Sequence, residues 1–190
     1  MIIAIEGGDQ AGKLTQSRML ARALKRCGHK TKLFHFPDYT TPVGREIKGY
    51  LDGRRKHAPQ LIHCLLAANR WEKLHQIQKY QKNHTLVMNR YYHSNVVYGM
   101  ANGLNQKWLE NLDAGMPRTD LVILLDVTQG ESFRRQRLRR DRFERDAVFS
   151  KKISATYKKL ARKKRWKVID ASLAVQEIHE KILETSLGRL

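Results

Sequence analysis

The stretch Ile2–Leu14, reading IIAIEGGDQAGKL, constrains this chain more than any other. A short apolar run, Met1–Ile5, breaks into Gly7-Gly8-Asp9-Gln10-Ala11-Gly12-Lys13 and then into a helical pattern. Strand, glycine-rich turn, helix is the setting in which a G-x-x-x-x-G-K turn wraps a phosphate chain with backbone N–H groups, the lysine reaching the outer phosphates. One letter departs from the motif. Leu14 stands where Ser or Thr would hold Mg²⁺, and Thr15 comes one step later. The next helical residue points about 100° round the axis, so Thr15 does not simply take over. The turn predicts phosphate binding and leaves the metal ligand open.

The rest of the chain alternates in the same way. Lys13–Arg26 reads as an amphipathic helix with Met19, Leu20, Ala23 and Leu24 inward, and Gly28 suits the left-handed position that ends it. Thr31–Phe36 reads as a second strand stopped by Pro37, and Val43–Leu51 as a short helix. One long helix is expected from Pro59 to about Lys82, with Leu61, Leu65, Ala68, Leu74 and Ile77 at helical spacing. Thr85–Met88, Leu121–Val127 and Trp166–Ile169 are the remaining strands, and Leu173–Thr185 a closing helix. LVILLDV is apolar on both faces, which argues for a parallel sheet covered on both sides. The expectation is a single α/β domain over residues 1–190, three-layered, with five parallel strands flanked by helices. Ligands of such sheets bind beyond the carboxyl ends of the strands. Gly7–Lys13, Phe36-Pro37, Asn89-Arg90-Tyr91 and Asp170 all follow strand ends.

Charge is the unusual part of the composition. The formal net charge is +19, and the lysines and arginines themselves are densest in the C-terminal half, over 134–167. Seven arginines fall in 134–145, namely Arg134, Arg135, Arg137, Arg139, Arg140, Arg142 and Arg145, and 147–169 holds nine lysines and arginines with no acid. Such an excess suits phosphorylated ligands, with the surplus as solvated surface or a weak affinity for polyanions. No run nears the roughly 18–20 apolar residues that span a membrane. With Met1 leading straight into a strand, no signal or transit peptide is expected, and Cys27 and Cys64 read as reduced thiols of a cytoplasmic protein.

Several short segments stand in a known order: Glu6–Lys13, Phe36-Pro37, Ala68-Asn69-Arg70-Trp71-Glu72, Asn89-Arg90-Tyr91, Met116-Pro117-Arg118-Thr119-Asp120-Leu121, Arg142-Phe143-Glu144 and Asp170-Ala171-Ser172. On these the chain resembles the thymidylate kinases, P-loop enzymes that move the γ-phosphoryl group of ATP onto dTMP, over nearly its whole length. The resemblance implies the P-loop nucleotide kinase fold, Mg²⁺ with ATP as cofactor, and a homodimer paired through the helices of 60–82. It implies Lys13, Arg90, Arg142 and Asp9 as catalytic residues. Gly7, Gly8, Asp9, Gln10, Ala11, Gly12, Lys13, Leu14, Thr15, Arg139, Asp170 and Ala171 would face ATP. Asp9, Phe36, Pro37, Leu66, Arg70, Arg90, Tyr91 and Tyr98 would face dTMP, and Asp9 would meet the metal mostly through water and phosphates. Since Gln10 is uncharged, the chain resembles the members that keep their catalytic arginine in a lid, here about 130–146, with Arg139, Arg140 and Arg142 as candidates.

Four positions depart from the family: Leu14, Asn89 for the acid of D-R-Y, Leu66 for a phenylalanine against the base, and Tyr39 for an arginine near the acceptor phosphate. The first two both weaken metal handling, which implies slow turnover or nucleotide binding with little turnover. The rival readings are a kinase for another monophosphate such as dUMP or dCMP, a non-catalytic nucleotide-binding protein, and a basic nucleic-acid-binding protein on the same fold.

Overall fold

A computed structural model describes residues 1–127 and 147–190. Five strands, β1 (Ile2–Gly7), β2 (Thr31–His35), β3 (Thr85–Asn89), β4 (Leu121–Asp126) and β5 (Lys167–Asp170), form one parallel sheet in the order β2-β3-β1-β4-β5. Successive side chains of a strand face opposite ways, so β1 feeds two cores. Ile3 and Ile5 join Val87, Ile123, Leu125 and Ile169 on one face, while Ile2 and Ala4 join Leu86, Met88 and Val122 on the other. Both faces are covered, as the apolar strands require. The first face takes Leu20 and Leu24 of α1 (Lys13–Arg26) and Ile178 and Ile182 of the last helix, α8 (Val175–Leu187). The second takes α4 (Leu74–Gln81) through Ile77, and beyond it α5 (Tyr92–Ala101), α6 (Gln106–Asn111) and α7 (Ala147–Lys164) pack around Val97, Leu109, Tyr157 and Leu124. A third small core joins Ile47 and Tyr50 of α2 (Pro42–Leu51) to Ile62 of α3 (Pro59–Trp71).

The single long helix expected from Pro59 to Lys82 is two helices. The break falls at Glu72 and Lys73, where Lys73 N–H reaches back to Arg70 O in a tight turn. Tertiary bonds hold this turn: Lys73 Nζ pairs with Asp38 at 2.8 Å, Asn69 Nδ2 donates to Glu72 Oε2, and Trp71 Nε1 donates to Leu112 O. The buried face of α3 also differs from the expected stripe. Ile62, His63, Ala67, Asn69 and Arg70 are inward, and Leu61 is 48% exposed. Polar side chains occupy that inner face because it borders a ligand cleft, which apolar spacing cannot register. The strand and helix ends shift by one or two residues: Phe36 and Trp166 fall outside β2 and β5, and α8 begins at Val175 after Glu177 accepts from the Ala174 N–H. No described helix is long and apolar enough to cross a membrane.

Candidate active site

The glycine turn is held by sterics and by the helix that follows it. A Cβ on Gly7 would sit 2.6 Å from the Leu125 carbonyl oxygen of β4, so only glycine lets the loop leave the sheet there. Gly12 has φ +80 directly before α1 and sits where L side chains are strained. The N-terminus of α1, with no acid in its first turn, therefore faces the loop. Lys13 is buried, and its ammonium donates to the Gly8 carbonyl. Asp9, Gln10, Gly12, Lys13, Leu14 and Thr15 line one cleft together with Arg18, His35, Tyr39 and Asn89. Leu14 is 40% exposed there.

A second cleft, of about 650 Å³, opens on the other side of Asp9. It is lined by Asp9, Phe36, Pro37, Leu66, Arg70, Arg90, Tyr91 and Tyr98, the eight residues that the sequence groups around an acceptor, and by Ser94 and Asn95 among others. Its centre is Arg90, at φ +61 directly after β3, whose N–H bonds Ile5 O at 3.1 Å. That backbone turn aims the guanidinium across the end of β1. It pairs with the Asp9 carboxylate and donates to Tyr98 Oη at 3.2 Å and Ser94 Oγ at 3.3 Å. Tyr98 Oη donates in turn to the other Asp9 oxygen at 2.8 Å. Arg90, Ser94 and Tyr98 recur every four residues, so they share one face of the chain entering α5.

Beneath them Glu6 is wholly buried. It accepts from Tyr91 N–H at 2.8 Å, from Tyr157 Oη at 3.1 Å and from Ser94 Oγ, with the His93 imidazole 3.6 Å away. Burial alone would raise this carboxyl. His93, the Ser94 bond and the Arg90 charge outweigh it and hold Glu6 below the usual carboxylate range. Burial would likewise neutralise Arg90, but Tyr98, Asp9, Tyr157 and Glu6 push its pKa above the ordinary arginine value. The phenols of Tyr98 and Tyr157 are raised, chiefly by burial, so each stays a donor. The result is a permanent cation, fixed by two carboxylates and two phenols, between the glycine loop and the cleft.

Arg70 reaches the same cleft from α3 and is bound bidentately to Asp113, at 2.6 and 2.7 Å, each side chain 3% exposed. This answers the demand that a buried arginine have an anionic partner. Asn69 ties down the loop after β2, accepting from Asp38 N–H at 2.7 Å and donating to Thr41 Oγ1 at 2.9 Å. Asp170, exposed at the end of β5, and Ala171 just after it lie at the same end of the sheet but line neither cleft. Arg139, Arg140, Arg142 and the rest of the expected lid lie outside the described residues. Sequence reasoning missed Asp113 and Tyr157, and gave no role to Glu6, Ser94 or Asn95. The four-residue spacing from Arg90 could have found Ser94. Nothing local marks Asp113, 43 positions from its partner.

Among the described residues no three His, Cys, Asp or Glu side chains converge as a metal cage. The loop cleft does hold an unmet acceptor: Asn89 Oδ1 is buried without a partner, while Nδ2 of the same amide lies 3.2 Å from His35 Nδ1. Such a donor set fits Mg²⁺ carried by phosphates with its waters, and does not fit a metal held by protein alone.

A parallel 2-3-1-4-5 sheet with a glycine loop between its central strand and first helix defines a P-loop kinase fold. The family model for thymidylate kinase matches residues 5–182. The chain is 35% identical to the thymidylate kinase of Arabidopsis thaliana, over all of this chain and 72% of that protein. It is 34% identical to that of Homo sapiens, over 95% of this chain and 87% of the human protein. The solved thymidylate kinase of Candida albicans superposes with a TM-score of 0.83 at 28% identity, covering all of this chain and 93% of that one. The chain belongs to the thymidylate kinase family, and is a phosphotransferase.

Proposed function

We propose that this enzyme transfers the γ-phosphoryl group of ATP to the 5′-phosphate of dTMP, giving dTDP and ADP. The observation that carries this reading is the Asp9–Arg90–Tyr98 group, fixed where the glycine loop and the apolar cleft meet. The acceptor's base lies among Phe36, Pro37 and Leu66, and its phosphate against the fixed charge of Arg90. ATP phosphates lie on the Gly7–Lys13 loop, with Lys13 released from Gly8 O toward them. An acceptor phosphate oxygen then attacks Pγ while the bond from Pγ to the β-bridging oxygen breaks, the electron pair leaving with ADP. Arg90 and Lys13 stabilise the charge on the transferring group, which is most of what a protein offers in this reaction. Mg²⁺, when bound, neutralises the β and γ oxygens; Asp9 and Asn89 would meet its waters. Arg142 is the proposed catalytic arginine of the lid, and Arg139, Asp170 and Ala171 are the proposed ATP contacts beyond the loop.

We further propose that the metal is held weakly. Leu14 brings no oxygen to the loop cleft, and Asn89 brings an uncharged one. A homodimer through α3 and α4 is supported by Leu61, exposed on α3. The nine lysines and arginines of 147–169 are all exposed, which supports weak binding of polyanions that fades as salt rises. Two free thiols suit a cytoplasmic setting. Coupled ADP release with ATP·Mg²⁺ tests the central reading: release should depend on dTMP, and its absence with dTMP but presence with dCMP would overturn it.

A further inference from the structure

The chain that enters and forms α5 separates two cavities. Tyr91, Ser94, Asn95 and Tyr98 line the acceptor cleft, while Tyr92, His93 and Val96 line a cleft on the other side. This rear cleft, of about 1040 Å³, is larger than the acceptor cleft and shares no lining residue with it or with the loop cleft. No role proposed above uses it. Val96, Met116 and Leu160, each at most 5% exposed, give it an apolar lining. Trp166, half-buried, forms an aromatic wall, fixed edge-to-face against the His93 ring at 5.1 Å. Both acids of the lining are already matched. Asp113 gives both carboxylate oxygens to Arg70, and Glu110 accepts from Lys164 Nζ at 2.7 Å and from Gln106 Nε2 at 3.1 Å. Arg118 is the charge left over. It is exposed at the cleft and makes no side-chain hydrogen bond or ion pair among the described residues.

We propose that the rear cleft is a second ligand site, for a planar aromatic anion whose ring lies against Trp166 and the apolar lining and whose anionic group meets Arg118. A concave, largely apolar lining with one unmatched polar group is the usual build of a small-molecule site. A ring brought to Trp166 gains buried area and an aromatic contact. The Arg118 guanidinium, with no acid to hold it, offers two parallel N–H donors to a carboxylate, sulfonate or phosphate. A cation would find each acid already paired and would meet Arg118 as a like charge. A neutral ring would leave Arg118 unused. The cleft exceeds the one assigned to dTMP, so it admits a ligand of nucleotide size. Nucleotides and simple aromatic acids share this chemistry. The inference goes beyond the kinase reading and does not rest on it.

The test is fluorescence titration of the full chain with anilinonaphthalene sulfonate and with its neutral parent, phenylnaphthylamine. Ala114→Trp, at an exposed position of the lining, fills the rear cleft, so the binding that it removes is the binding of that cleft. That component should favour the sulfonate over the neutral probe by at least about tenfold. Arg118→Glu changes only an exposed, unbonded side chain. It should weaken the sulfonate by about tenfold or more and leave the neutral probe within about threefold. Displacement of the sulfonate by AMP but not by indoleacetate assigns a nucleotide, and the converse assigns an aromatic carboxylate. No component lost in Ala114→Trp, or displacement by neither competitor, overturns the proposal. So does sulfonate affinity unchanged in Arg118→Glu, a result that stands whether or not Ala114→Trp folds. Equal loss of both probes in Arg118→Glu also overturns it, since the charge would then select nothing.

Discussion

The two clefts that meet at Asp9 are built in opposite ways. On the acceptor side the charged groups are paired before any ligand arrives: Glu6 holds Tyr91, Ser94 and Tyr157, Arg90 holds Asp9 and Tyr98, and Asp113 holds Arg70. On the donor side Lys13 is bonded to the Gly8 carbonyl of its own loop, Thr15 and Arg18 are exposed, His35 meets the Asn89 amide nitrogen, and the Asn89 amide oxygen is buried with no partner. A cleft whose side chains are already fixed loses little freedom on binding. A cleft with an unmet acceptor depends on the ligand and its metal to complete it. On the proposed reading, recognition of the monophosphate is thus built into the fold, while handling of the donor phosphates is left to what the nucleotide brings.

The pairing on the acceptor side can be broken directly. Asp113→Ala leaves Arg70 charged and buried without a partner. It should cost about 3–5 kcal/mol in urea unfolding, and a loss under about 1 kcal/mol would show that the pair is not the constraint described. Arg90→Ala leaves Asp9 and Glu6 facing an uncompensated site. It should lower kcat/KM for dTMP by roughly 10²- to 10³-fold, and Arg90→Lys should restore only part, since an ammonium lacks the planar fork.

The smallest effect is titration of the scaffold. His35, His63 and His179 are all held below the ordinary histidine pKa, with burial the largest cause at each. The stability each contributes is complete above about pH 6.5 and is lost as pH falls, because the unfolded chain takes up the proton first. Glu6 and Asp38, the latter lowered to about 2, add a second loss that begins only below about pH 4.5. The melting temperature should therefore fall between about pH 7 and 5.5 and again below about pH 4.5; no change over the first interval contradicts neutral burial of the imidazoles.

The donor side was the more legible of the two in the sequence. Its loop is local, with three glycines and a lysine within seven positions between an apolar run and a helix, and Gly7 and Gly12 each have a backbone reason. The acceptor side is assembled across the chain. Arg90 was legible because it follows a buried strand, and Phe36 because Pro37 stops another. Asp113 and Tyr157 come from 43 and 67 positions away from the arginines that they meet, and no spacing rule joins such pairs. The false long helix over 59–82 has the same origin. Periodicity continues through Glu72 and Lys73, but contacts to Asp38, Asn69 and Leu112 bend the chain there. The inward face of α3 was misread because it carries His63, Asn69 and Arg70, which bind Asn95, the loop after β2 and Asp113, where apolar spacing predicts leucines.

The contrast between a finished acceptor side and an incomplete donor side is tested most directly by restoring the metal ligands. The measurement is kcat and KM for dTMP at saturating ATP·Mg²⁺, in the parent chain and in the double variant Leu14→Ser with Asn89→Asp. A charge-assisted metal contact worth about 2–4 kcal/mol at the transition state predicts a rise in kcat of roughly 30- to 1000-fold, with KM for dTMP unchanged. A parent turnover already near the common enzyme value of about 10 s⁻¹, or a double variant no faster than its parent, would contradict the account.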